Sequence, residues 1–294
     1  MSRKLLKLAL IMILCPIGIS AQNKYYPADP HVLITSPAFL GPNALPVPLL
    51  HKAVIPDRFY WSGEYEFYSG PGDKTHDFNI HIIVPAAQGR IGLEFKYVPF
   101  EIFAMDSVVS HKRRTSSGEA VEGHSFGDVY FGTVIQLVKD HAYLPDLSVA
   151  MSCRTASGTQ RENARYIDTP GYYLDASFGD TYGRNLGFFR HVRWYAEVGF
   201  YCWQTYLNNY PQNDALLYGC GIDFDFKDFF INQSLRGYSG YMKNGDQPLV
   251  YRVDLGYKIG EAALVAGYEK GLMDYPFQSI RAGFQIGLTS NSEH

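Results

Sequence analysis

Beyond residue 21 the sequence has no apolar run long enough to cross a bilayer as a helix, which needs about 20 such residues. Cysteine is scarce. There are four, and Cys153, Cys202 and Cys220, the three beyond residue 21, lie too far apart in sequence for zinc-ligand spacing. Net charge is only −3, so the basic footprint of a nucleic-acid-binding protein is missing. These absences exclude a helical membrane protein and argue against a zinc-stapled domain or a nucleic-acid partner. No cofactor and no metal is called for.

What the chain has instead is aromatic residues, 15% of the total with Tyr alone at 23, together with 28 Gly. Mean hydropathy is nevertheless slightly negative. A membrane β-barrel has this profile, because each strand carries one apolar and one polar face and the averages cancel. The N-terminus fits export. Arg3, Lys4 and Lys7 flank the start of an apolar run from Leu8 to Leu14, and Gly18, Ser20 and Ala21 follow. This reads as a signal peptide over residues 1–21, cleaved after Ala21. Cys15 sits between Leu14 and Pro16, which suits lipidation poorly.

Residues 22–58 form a separate region, with Pro27, Pro30, Pro37, Pro42, Pro46, Pro48 and Pro56. Proline removes backbone donors, so neither a central strand nor a helix runs through it. It is expected to be an extended periplasmic leader, either a plug folded back into a barrel mouth or a loose tail.

From Phe59 a period of two takes over. Phe59, Trp61, Gly63, Tyr65 and Phe67 share one face, and Tyr60, Ser62, Glu64 and Glu66 the other. The alternation recurs in further runs around residues 78–84, 91–97, 129–137, 147–153, 172–178, 192–202, 216–224, 229–235, 249–259, 262–268 and 280–288. No position on the apolar faces of these twelve runs is Asp, Glu, Lys or Arg. The reason is energetic, since Arg or Lys facing lipid at mid-depth costs roughly 2–4 kcal/mol. Links at 85–89, 139–145, 227–228 and 260–261 are mostly short, while those at 104–123 and 155–169 are long and polar. Short turns at one end and long loops at the other mark a membrane barrel, and an even strand number puts both chain ends on the short-turn side. The expectation is a closed antiparallel transmembrane β-barrel of about 12 strands over residues 59–288, with a polar tail at 289–294. A soluble sandwich would alternate too, but would need no aromatic excess.

The opposite faces would hold the charge inside. Lumen candidates are Glu64, Glu66, Glu94, Lys96, Arg154, Asp175, Arg193, Glu197, Asp223, Asp225, Arg236, Arg252, Asp254, Lys258, Glu269 and Arg281. They make either a wall of mutually paired charges or a polar pore whose charges filter solutes. Their mixed signs speak against strong selectivity. The basic segments Lys112 to Arg114 and Arg154 to Asp168 fall in the long loops, where solvation is the default. Cys202 and Cys220 lie symmetrically about Pro211. If that residue centres the hairpin, they face each other at a spacing compatible with a disulfide; otherwise they are small apolar residues facing lipid.

The run pattern over residues 59–288 resembles Gram-negative outer-membrane porin-like barrels. Thr155-Ala-Ser-Gly158 followed by Asp168-Thr-Pro-Gly-Tyr172 is similar to porin-like transport proteins of aromatic-degradation clusters. Members of the class end on an aromatic residue of the last strand; here Phe284-Gln-Ile-Gly-Leu288 precedes a polar tail. The resemblance implies a narrow channel or facilitator for small solutes in the outer membrane, with membrane lipid and a small solute as partners. The alternative is a structural or surface-binding barrel acting through the loops at 104–123 and 155–169. A third reading is a lipid-modifying enzyme, which needs a Ser nucleophile beside a His base. No His here is followed two residues later by Ser, and His124-Ser125 would point to opposite faces.

Overall fold

The computed structural model describes residues 26–183 and 189–287, apart from Ala28 and Pro30. The expected signal peptide and polar tail lie outside the described residues.

The strands are β1 (Tyr60–Gly70), β2 (Asp73–Ala86), β3 (Ile91–Met105), β4 (Val121–Ser125), β5 (Tyr130–Val138), β6 (Asp146–Arg154) and β7 (Gly171–Tyr182), followed by β8 (Phe189–Leu207), β9 (Tyr210–Phe226), β10 (Phe229–Gly240), β11 (Leu249–Ile259), β12 (Ala262–Met273) and β13 (Gln278–Ile286). One short helix, α1 (Ser107–Arg113), sits between β3 and β4. All neighbours pair antiparallel, and β1 bonds both β2 and β13, so the sheet closes on itself. Strands β4 and β5 both pair with β3, at its two ends, and together make one interrupted stave. The wall therefore has twelve staves, each containing one of the twelve alternating runs. Closure pairs every stave with a neighbour on both sides, which a lipid environment requires; only the short β4 lacks a second strand partner.

The interruption has a local cause. Opposite it, β3 carries a bulge at Val98-Pro99, where Phe78 pairs with Phe100 but Ile80 pairs with Tyr97. Proline is tolerated in a sheet at such irregularities. Across the gap Gly127 N–H donates to Val98 O at 2.8 Å, and a Cβ on Gly127 would stand 2.8 Å from Val98 Cβ. The bulge also flips the phase of β3. Leu93 and Phe95 are exposed before it, Phe100 and Ile102 after it. The sequence period extends only to Tyr97 and leaves 104–123 as loop; the strands run on to Met105 and resume at Val121.

Outward-facing apolar side chains form a continuous belt, including Tyr65, Leu93, Phe131, Leu174, Leu216, Leu255 and Ile280. Links at one end are turns, such as 227–228 and 260–261. Links at the other end include 106–120, 155–170 and 241–248, although 71–72 and 208–209 there are also tight.

The β8–β9 hairpin corrects one expectation. Leu207 pairs with Tyr210, so the turn falls at Asn208-Asn209 and not at Pro211. Cys202 consequently pairs with Asp214, and Cys220 with Ala196. Moving the hairpin centre by three residues separates the thiols by six positions, roughly 20 Å along the strands. Both cysteines are free, as is Cys153.

The core lies inside the barrel, because the leader is there. Leu40, Ala44, Leu45, Ala53 and Ile55 are 0–2% exposed. The leader's described residues include no strand and one 3-10 turn, Pro37–Phe39. It starts among the loops, where Arg114 donates to the Pro27 and Asp29 carbonyls at 2.9 and 3.1 Å. It ends among the turns, where Lys139 holds Asp57 at 2.7 Å and Arg58 pairs with Glu261. The sequence expectation put both chain ends on the turn side; the first described residues lie instead at the loop end.

Candidate functional site: the occupied lumen

A proline-rich chain offers carbonyls but few N–H donors, so its surroundings must donate. The wall does so along the whole descent. Trp203 Nε1 donates to Thr35 O at 3.2 Å, Arg154 to Ala44 O at 2.6 Å, and Tyr238 Oη to Leu45 O at 3.0 Å. Lower down, Arg236 donates to the Val47 and Pro48 carbonyls, both at 3.3 Å, and Arg193 to Lys52 O at 2.8 Å. Gln136 satisfies both kinds of group, accepting from Ile55 N–H at 3.1 Å and donating to Ala53 O at 2.8 Å.

Two halves follow. At the loop end, leader residues Leu33, Leu40, Ala44, Leu45 and Val47 pack against Tyr68, Tyr201, Trp203, Leu217, Tyr238, Tyr275 and Phe277 of the wall and loops. This apolar plug fills the bore. Loop 155–170 folds in to join it: Ala164, Arg165, Tyr166 and Ile167 are 0–1% exposed. Arg165 contacts Asp73 at 2.7 Å, Glu101 at 2.8 Å and Thr75 at 2.7 Å. Burial works against its charge, but Glu101 and Asp73 outweigh that and hold the guanidinium protonated beyond its ordinary range. Gly41 lets the leader pass, since a Cβ there would stand 2.8 Å from Arg165 Cζ. Arg113 pairs with Asp73 at 2.5 Å, and Lys112 lies over the Phe39 ring. Within the basic loop segments, expected to be solvated, Arg113 and Arg165 are thus buried and paired internally, while Lys112 and Arg161 remain exposed. In loop 241–248, burial pushes the Asp246 carboxyl up, opposed by donation from Asn213 at 2.8 Å.

At the turn end the bore is polar and partly empty. A cavity of about 430 Å³ separates the leader from the wall and is lined by Lys52, Tyr60, Glu64, Asn232, Arg252 and Asp254, among others. Its lining runs from Pro56 and Gln285 at the turn end to Tyr68, Tyr275, Asn43 and Tyr166 beside the plug.

Every lumen candidate named from the sequence faces this interior, in three groups. On one side Arg281 bridges Asp254 at 2.6 Å, Glu66 at 3.2 Å and Glu64 at 3.7 Å, while Arg252 holds Asp254 at 2.7 Å and Arg236 pairs with Glu269. Separate pairs are Lys258 with Asp225, Arg193 with Asp146 at 2.9 Å, and Lys96 with Glu94 at 3.1 Å. The rest face the leader: Arg154 as above, Asp223 toward Lys52 at 2.6 Å, and Asp175 and Glu197 toward His51 at 3.1 and 3.7 Å. Sequence reasoning missed the leader's own members, Asn43, His51 and Lys52. Asn43 donates to Asp77 at 2.6 Å and to Glu101 at 2.9 Å. The one available signal was that polar residues punctuate an otherwise apolar, proline-rich stretch.

No family model and no curated protein matches the chain. Among solved structures, it is similar to the COG4313 outer membrane channel from Pseudomonas putida F1, with TM-score 0.53 and 9% identity over 90% of this chain and 99% of that one. It is also similar to the KdgM porin, with TM-score 0.45 and 15% identity over 79% and 99% of the two chains. The β domain of the Bordetella autotransporter BrkA gives TM-score 0.44 and 13% identity over 79% and 99%. The first of these carries the assignment, and what it carries is the fold. The fold so defined is a closed antiparallel β-barrel with an apolar outer belt, here with its bore occupied by residues that precede the first strand.

Proposed function

We propose that this barrel is an outer-membrane channel for small polar solutes, held shut at rest by its own leader. The observation that carries this is the cavity of about 430 Å³ whose lining runs from the turn end to Val47, Tyr68 and Tyr275, members of a plug made jointly of leader and wall. Likeness of fold to a channel supports the reading. Charges of both signs line the cavity, paired with one another, so selection by charge would be weak and neutral or zwitterionic solutes favoured. The turn end would face the periplasm, with the chain exported after signal-peptide removal.

Action through the loops is disfavoured because Arg113, Arg114 and Arg165 are engaged by the barrel and its leader, which leaves Lys112 and Arg161 exposed. Lipid chemistry is disfavoured as well. Ser125 turns inward and donates to Glu101 at 2.8 Å, whereas His124 stacks on exposed Phe100.

Planar-bilayer recording on refolded protein tests the proposal. The full chain should conduct little, and a variant lacking residues 31–56 should show a steady conductance higher by about tenfold or more. A deletion variant that shows folded-barrel migration on a gel yet stays silent would overturn the channel reading.

A further inference from the structure

We propose that a divalent transition-metal ion binds inside the barrel between leader and wall, with His51, Asp175 and Glu197 as its ligands. Asp175 lies on β7 and Glu197 on β8, close together across the pair because Ser177 is the register partner of Glu197. Both point inward, and His51 of the leader descends against them. Its Nδ1 is 3.1 Å from each Asp175 oxygen and 3.7 Å from Glu197 Oε2. One ligand atom from each of the three residues falls within 4.8 Å of the others. A tetrahedral ion with bonds of about 2.0–2.1 Å needs neighbouring ligand atoms roughly 3.3 Å apart, so little movement is required.

Charge balance points the same way. Asp175 and Glu197 are 6% and 4% exposed, and among the described residues neither has a Lys or Arg within salt-bridge distance. The neighbouring cations are engaged elsewhere, Lys96 by Glu94 and Arg193 by Asp146. Two buried carboxylates therefore share one imidazole. With both carboxylates ionised, a protonated His51 leaves one negative charge to be met either by a second proton or by a cation. A divalent ion that takes the Nδ1 position and releases its proton to solvent brings the group to neutrality.

A second, independent observation concerns Glu197 itself. Its Oε2 accepts from His51 N–H at 2.7 Å and from Ser177 Oγ at 3.0 Å, which fixes the carboxylate. Its Oε1 is buried with no hydrogen-bond partner among the described residues. A buried carboxylate oxygen left unpaired is one that a bound cation would satisfy. The outer shell is also in place. His51 Nε2 faces Glu94 Oε2 at 3.3 Å, the arrangement in which a carboxylate orients a ligating imidazole. Three protein ligands leave a fourth position for water.

Such an ion would tie leader to wall, a consequence that deepens the channel reading and rests on it; the binding itself does not. Calorimetric titration of the untagged full chain, refolded in detergent, with zinc chloride reads the binding directly. One zinc per chain is expected. Glu197→Gln, which keeps the side-chain shape, and His51→Ala should each weaken uptake by about a hundredfold or more, since even outer-shell partners are worth about 10–100-fold. Gel migration shows that each variant is folded. No zinc uptake by the full chain, or equal uptake by Glu197→Gln, would overturn the site. Because metal uptake and not conductance is measured, the channel proposal can fail while the site stands, and the reverse.

Discussion

The loop half and the turn half of the lumen are built on the same staves by opposite means. In the loop half, Tyr201, Trp203, Leu217 and Tyr238 pack in one cluster with leader residues Leu40 and Leu45, and all of these are 0–1% exposed. The buried charges there, Arg165, Asp73 and Glu101, are satisfied by one another and by Asn43, Ser125 and Thr75. In the turn half a cavity opens beside the leader, and Lys52 on its lining pairs with Asp223 with side chains 37% and 17% exposed. The difference shows where a seal comes from. Close packing excludes water, while a lattice of charges keeps some, so the leader shuts the bore at one level only.

Cutting equivalent contacts in the two halves sharpens this comparison. Arg165→Ala should have the largest effect, about 3–5 kcal/mol, because it strands buried carboxylates. Denaturant titration in detergent, followed by gel migration, measures it. Gly41→Ala should cost about 1–3 kcal/mol, since the added methyl meets a guanidinium pinned by Asp73 and Glu101. The same titration reads that. Lys52→Gln should change stability by less than about 1 kcal/mol, as expected for a partly solvated pair. An Arg165→Ala variant no less stable than Lys52→Gln would erase the distinction between the halves.

The wall was legible in the sequence because its rule is local. Lipid contact forbids charge at every second residue, and that rule alone places all twelve staves and the inward face of each named acid and base. The phase flip in β3 was not legible, because a bulge is set by the facing strand, where Gly127 closes on Val98. The β8–β9 turn was misplaced because Pro211 looks like a turn residue. It lies instead in an irregular stretch of the hairpin, beyond the last β9 residue that β10 pairs, where a missing donor costs little. Asn208-Asn209 carried the turn chemistry. The leader's path was hidden for a deeper reason. Its backbone partners, from Trp203 to Gln136, are scattered over the chain, so no spacing within residues 31–58 could announce them.

The leader also serves as a gauge of calibre. An extended peptide with its side chains is roughly 10 Å across, and this one fits lengthwise with an open space still beside it. A bore emptied of that peptide would therefore be as broad as a polypeptide strand, wider than a dehydrated ion requires.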